Sequence, residues 1–335
     1  MSEQLISKAH IHVSEILKDA LLHEVGETVV IYDESAPLTR ILTEGYRRAL
    51  PNARFLKFED QTKETVLAEF STLKAGDLVV QIQSGNFRLD DFRIRIFLFR
   101  EGIKAIEHGH LERFPEEEWG TYIDALHYDK NYYHPLGHGV RAKLQKAQSA
   151  EVKSHDTVLR YESDFEDPKL NIGDYREMTN KGGTFPIGEV FTEPKDLTKV
   201  NGEARIYAFA GMDFLVKIYE PAFKVTIKDG ILYPTDEAPQ AFLDILGLIQ
   251  ATEPVYVREF GLGMNAAITK EHILSDVTAF ERINGLHLSL GAKHSIYGKP
   301  GFKKDEGRYH IDVFIQADEI TLDGEVLFKD WKYIV

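Results

Sequence analysis

Near the C-terminus, "YHIDVFI" (309–315) sets a histidine and an aspartate two residues apart in a run that otherwise reads as a buried β-strand. Residues i and i+2 of a strand face the same way, so His310 and Asp312 stand side by side. Such a pair is either a satisfied buried histidine with an acidic neighbour or part of a metal site. Three further stretches bring polar residues into similar apolar surroundings. "GLHLSLGAKH" (285–294) carries His287, "VYVREFGLGMN" (255–265) carries Glu259, and "GGTFPIGEVFTEP" (182–194) carries Glu189. Each glutamate has an ordinary reading as a surface or salt-bridged residue, because glutamate is rarely buried alone. A divalent cation removes the cost of burying several carboxylates by coordinating them together. Two imidazoles with three carboxylates suit zinc, cobalt, manganese or iron rather than calcium. Five ligands exceed the usual set of one catalytic zinc, which points to a two-metal site.

The elements that must position these residues fall into two textures. The first third alternates strands (27–34, 53–58, 76–83, 103–109) with helices (36–50, 63–73, 88–102), the pattern of a parallel sheet flanked by helices. Helical patterns continue to about residue 147. From Glu151 onward short β-branched and apolar runs dominate, with hairpin-type turns at "KDG" (228–230) and "LDG" (322–324) and one helix at 238–251. The expected fold is therefore an α/β N-terminal domain with a mainly parallel sheet (1–148), followed by an α+β C-terminal domain with mixed or antiparallel sheet (149–335) that carries the metal site.

Composition narrows the function. The chain has 335 residues, 43% hydrophobic and 28% charged, with a formal net charge of −14. That balance argues against nucleic acid and anionic membrane as partners, since phosphate binding needs clustered Lys and Arg. With no cysteine, disulfides, thiolate metal sites and cysteine nucleophiles are excluded. The N-terminus reads as an amphipathic helix, not a signal peptide, and no apolar run reaches membrane-spanning length, so a cytoplasmic protein is expected.

The motifs "GGTFPIGEVFTEP", "REFGLGMN", "GLHLSLG" and "YHIDVF", in that order, resemble the thermophilic metalloaminopeptidases of the aminopeptidase T and S type, a leucyl aminopeptidase-like family. The resemblance covers residues 150–335 well and the N-terminal part more loosely. It implies a metallohydrolase that removes N-terminal residues from small peptides, with an α/β N-terminal domain and homodimers enclosing the active sites. It also implies two cocatalytic divalent ions (zinc, cobalt, manganese or magnesium) held by Glu189, Glu259, His287, His310 and Asp312, with Glu259 activating the attacking water. The chain departs from the pattern at two places. A tyrosine expected seven residues after the first metal histidine is His294 here, with Tyr297 three residues on as a substitute. An acidic ligand expected five residues before that histidine is Arg282, with Glu281 beside it. Lys293, His294 or Tyr297 would then supply the transition-state donor.

The same superfamily includes an iron enzyme that opens a dihydroxypyridine ring with oxygen. His287, His310 and Asp312 match its need for two histidines and one carboxylate. A metal-stabilised binding protein without catalysis is the third reading. Other stretches carry less. His108 and His110 in "EHGHLE" lie at the end of a predicted parallel strand, a common ligand position, or are solvated loop histidines. His134 and His138 in "HPLGH" have helical metal-pair spacing, but Pro135 and Gly137 argue against a regular helix there. "FGLGMN" lacks the rest of a dinucleotide fingerprint, "DDFRIRIFLFREG" reads as an amphipathic helix, and no GxSxG is present.

Overall fold

The computed structural model describes residues 3–87, 94–292, 297 and 308–335. The chain forms two compact units, and they do not part at 148/149. The first comprises residues 1–134, 172–187 and 266–279; the second comprises 135–171, 188–265 and 280–335. The two units are interleaved along the chain, which a search for one composition shift does not detect.

The first unit is built on a parallel sheet. Its strands, in spatial order, are Arg54–Lys57, Thr28–Tyr32, Leu78–Ile82, Lys104–His108 and Gly182–Thr184. Thr28–Tyr32 and Leu78–Ile82 are buried along their whole length, as strands covered on both faces must be. Helices Pro37–Ala49, Lys63–Phe70 and Ile94–Arg100 follow the strands as the periodicity predicts; residues 88–93 of the last expected helix lie outside the described residues. The fifth strand comes from the second half of the chain. Its Gly182 approaches the neighbouring backbone so closely that a Cβ would lie 1.9 Å from the carbonyl oxygen of Ala105. The 266–279 segment is tied in by Arg113 Nη1 on Asp276 Oδ2 at 2.9 Å, and by the Ser275 amide on Glu118 Oε2 at 2.8 Å.

The second unit holds a separate sheet whose described strand pairs are all antiparallel. Both predicted turns form: Asp229–Gly230 and Asp323–Gly324 have positive φ at both central residues, the geometry that matches strand twist in a two-residue hairpin. The helix Gln240–Gln250 buries Phe242, Ile245, Leu246 and Ile249, spaced for one face.

One expectation fails outright. The helix Lys130–Leu144 runs through Pro135 and Gly137. Tyr133, Leu136, Val140 and Leu144 are buried at spacings of three and four, and this apolar stripe outweighs the lost backbone bond at proline. No helix among the described residues is long and apolar enough to cross a membrane.

Candidate metal centre

Four adjacent strands of the antiparallel sheet carry the polar residues singled out in the sequence: Glu189–Thr192, Val257–Gly263, Gly285–Gly291 and His310–Ile315. Their register puts Gly263 opposite Glu189, Gly261 opposite His287, Ser289 opposite Asp312, and Gly291 opposite His310. Alternation along each strand places Glu189, Glu259, His287, His310 and Asp312 on one face. Glu259 sits where the pairing of its strand with Gly285–Gly291 shifts register between Val257 and Phe260. Such bulges re-aim side chains, and the Glu259 amide there donates to Ser289 Oγ at 3.1 Å.

Glycine clears the floor of this face. A Cβ on Gly261 would lie 2.0 Å from His287 Nε2, so the imidazole lies across a position that only glycine can supply. Gly188, with φ of 122°, turns the chain immediately before Glu189; a Cβ there would lie 2.9 Å from the amide of Asn265.

His287 Nε2 lies 3.2 Å from Glu189 Oε1 and 3.2 Å from Glu259 Oε1. All three residues are buried, His287 completely, and each offers a ligand atom within 4.8 Å of the others. His310 Nε2 lies 3.3 Å from Asp312 Oδ1, and His310 Nδ1 is 3.1 Å from the Ala292 carbonyl oxygen. Donation from Nδ1 to that carbonyl leaves Nε2 as the ligand atom, the usual way a backbone carbonyl fixes a metal-binding tautomer. About a third of the His310 side chain remains open to solvent, while Asp312 is buried.

Electrostatics identify the face as a trap for positive charge. Burial alone would lower the His287 pKa, but hydrogen bonds to Glu189 and Glu259, with their charges, raise it well above the ordinary value. Burial likewise opposes protonation of His310, yet Asp312 pushes its pKa up to about 10. For Glu189 and Asp312, burial favours the neutral acid, but Arg282 and His310 respectively outweigh it and hold both carboxylates ionised. Without an ion, one His287 proton must serve two carboxylate oxygens. A divalent cation satisfies the same oxygens without that sharing, so the donor set fits a metal.

Two further residues complete the face. Arg282 Nη1 lies 3.1 Å from Glu189 Oε2 and also pairs with Glu281. Burial raises the Glu281 pKa to about 8 against the pull of Arg282, with Asp312 and Glu189 adding to the rise. In the sequence these two stood only as a departure from a pattern; their pairing with Glu189 depends on a fold that brings residues 189 and 282 together. Gly261 and Gly263, which the sequence suggests as a turn after Glu259, lie within the strand Val257–Gly263 and mark the face of Glu259.

Of the remaining predicted residues, Tyr297 lies near enough to Glu259 for that charge to add to the burial that raises its pKa. Tyr297 is buried, with its hydroxyl 3.3 Å from the carbonyl oxygens of Asp167 and Phe191. Lys293 and His294 lie outside the described residues. His108 is no loop histidine: it is fully buried, hydrogen-bonded to the Tyr46 hydroxyl at 2.9 Å and the Tyr122 hydroxyl at 3.0 Å. His110, with φ of 58°, meets Asn86 at 3.1 Å. His134 Nε2 bonds the Tyr128 hydroxyl at 2.8 Å.

No protein-family model matches the chain, and no curated protein matches it by sequence. Solved structures do share its fold. The 2,5-dihydroxypyridine dioxygenase from Pseudomonas putida KT2440 aligns with a TM-score of 0.68 at 14% identity, over 100% of this chain and 98% of that one. Wild-type AmpT from Thermus thermophilus aligns with a TM-score of 0.61 at 14% identity, over 98% of this chain and 99% of that one. At such identity the likeness is one of fold.

Proposed function

We propose that this chain is a metal-dependent hydrolase of the aminopeptidase type, acting on the N-terminal residue of small peptides. The observation that carries the reading is the convergence of Glu189 and Glu259 on His287 at 3.2 Å each, on one glycine-floored sheet face. Glu189, Glu259 and His287, with His310 and Asp312, would hold divalent ions. Such ions lower the pKa of a coordinated water and polarise a carbonyl. Glu259 accepts the proton of the attacking water and returns it to the leaving amine. The acid-rich face attracts a substrate that brings its own positive charge, as a free peptide amine does. His294, Lys293 or Tyr297 supplies the transition-state donor; of these the described one is Tyr297, whose hydroxyl meets two backbone carbonyls. In this reading the working form is a cytoplasmic homodimer.

One observation favours a second reading. Arg282 already neutralises Glu189 from within the protein. That leaves His287, His310 and Asp312 as a two-histidine, one-carboxylate set for a single iron, in a fold shared with a dioxygenase. Turnover and metal count separate the two. Hydrolysis of leucyl or arginyl test substrates without oxygen, with two ions bound on the 189/259/287 face, supports the peptidase. One iron and oxygen-dependent loss of an aromatic dihydroxy substrate would overturn it. Tight metal binding with no turnover of either substrate class would favour a binding protein.

A further inference from the structure

A second cluster of metal-ligating side chains lies in the first unit, on different elements from the sheet face described above. The helix Glu3–Glu15 packs Ile6, Ala9 and Val13 inward, and carries His12 and Glu15 one turn apart on a neighbouring stripe. His127 follows the helix Trp119–Ala125 by two residues. Glu15 Oε2 lies 3.2 Å from His12 Nδ1 and 2.8 Å from His127 Nδ1, and the two imidazole rings are 5.0 Å apart at 55°. Donors bound to one tetrahedral ion with bonds near 2.0–2.1 Å stand about 3.3 Å apart, close to the His12 separation and somewhat wider than that of His127. Each of the three residues offers one ligand atom within 4.8 Å of the others. His12 Nε2 faces a second carboxylate, Asp124 Oδ1, at 3.8 Å, and Asp124 is held in turn by Lys8 at 2.7 Å.

His12 Nδ1 faces Glu15 within hydrogen-bond distance, and Nε2 looks toward Asp124 from beyond it. With a cation on Nδ1, the one proton of the ring sits on Nε2, the side on which Asp124 lies; a carboxylate on that side is how proteins commonly orient metal-bound imidazoles.

We infer that His12, Glu15 and His127 form a divalent-cation site of the zinc, nickel or cobalt class that ties the first helix to the turn after Trp119–Ala125. More than half of the His127 side chain is exposed, so the remaining coordination positions open to water. The site is a structural tie and does not depend on the function proposed above.

Zinc alone is the probe. The full chain is stripped with a chelator, and Zn2+ binding is counted by calorimetry and metal analysis. His127→Ala removes an exposed side chain and leaves the fold intact. It is expected to lose one zinc per chain relative to wild type and to lose part of the zinc-induced rise in Tm. Glu15→Gln should weaken the same equivalent at least tenfold, and His287→Ala should retain it. Equal zinc counts in wild type and His127→Ala, or unchanged affinity in Glu15→Gln, would overturn the assignment.

Discussion

The two units each bury a histidine completely, and the two are opposites. His108 in the parallel-sheet unit has both ring nitrogens matched by neutral partners: Tyr46 donates to Nε2, and Nδ1 donates to the Tyr122 hydroxyl, which donates onward to Phe185. Burial without a charged partner lowers its pKa to about 3. His287 in the antiparallel unit places Nε2 between two carboxylates, and its Nδ1 has no hydrogen-bond partner among the described residues. Its pKa moves the other way. Burial depth is the same, so the neighbours decide. A histidine closed by hydroxyls is finished structure, and one facing carboxylates sits where positive charge is favoured.

The sharpest way to break this comparison is to remove each ring. His287→Ala should weaken metal binding on the sheet face by more than about 100-fold, beyond the loss typical of outer-shell partners. His108→Phe should leave metal content untouched. Next, Gly261→Ala brings a Cβ into the space of the His287 ring, and titration should show metal affinity down by about ten- to a hundredfold. The reciprocal effect is on stability. His108→Phe leaves the Tyr46 hydroxyl without its acceptor in a buried site, which costs about 1–3 kcal/mol and shows as a lower denaturation midpoint.

The last effect is on pH. His108 has a folded pKa near 3 against an ordinary 6.5, so the unfolded chain binds the proton that the folded chain refuses. Its contribution is fully present above pH 6.5 and is lost as pH falls toward 3. Between pH 7 and pH 5 the loss is about 2 kcal/mol. Chemical denaturation at the two values should show that difference in wild type and a smaller one in His108→Phe.

Much of this was legible in the sequence because it is local. Strand alternation in "YHIDVFI" and "GLHLSLG" gave the correct faces, and "KDG" and "LDG" gave the correct turns. What could not be read depends on long-range pairing. Gly182–Thr184 has no β-forming residue to mark it as a strand beyond Thr184, yet it completes the parallel sheet. Tyr46 and Tyr122 reach His108 from 62 and 14 residues away. Arg282 meets Glu189 across 93 positions of sequence, and no spacing rule links an arginine to a carboxylate at that remove.

The central claim is that the sheet face holding Glu189, Glu259 and His287 binds a divalent metal. Metal content of the purified full chain, compared between wild type and His287→Ala after identical loading, tests it most directly. The account predicts that the variant carries at least one fewer ion per chain while its circular dichroism is unchanged. Equal metal content in the two proteins would contradict it.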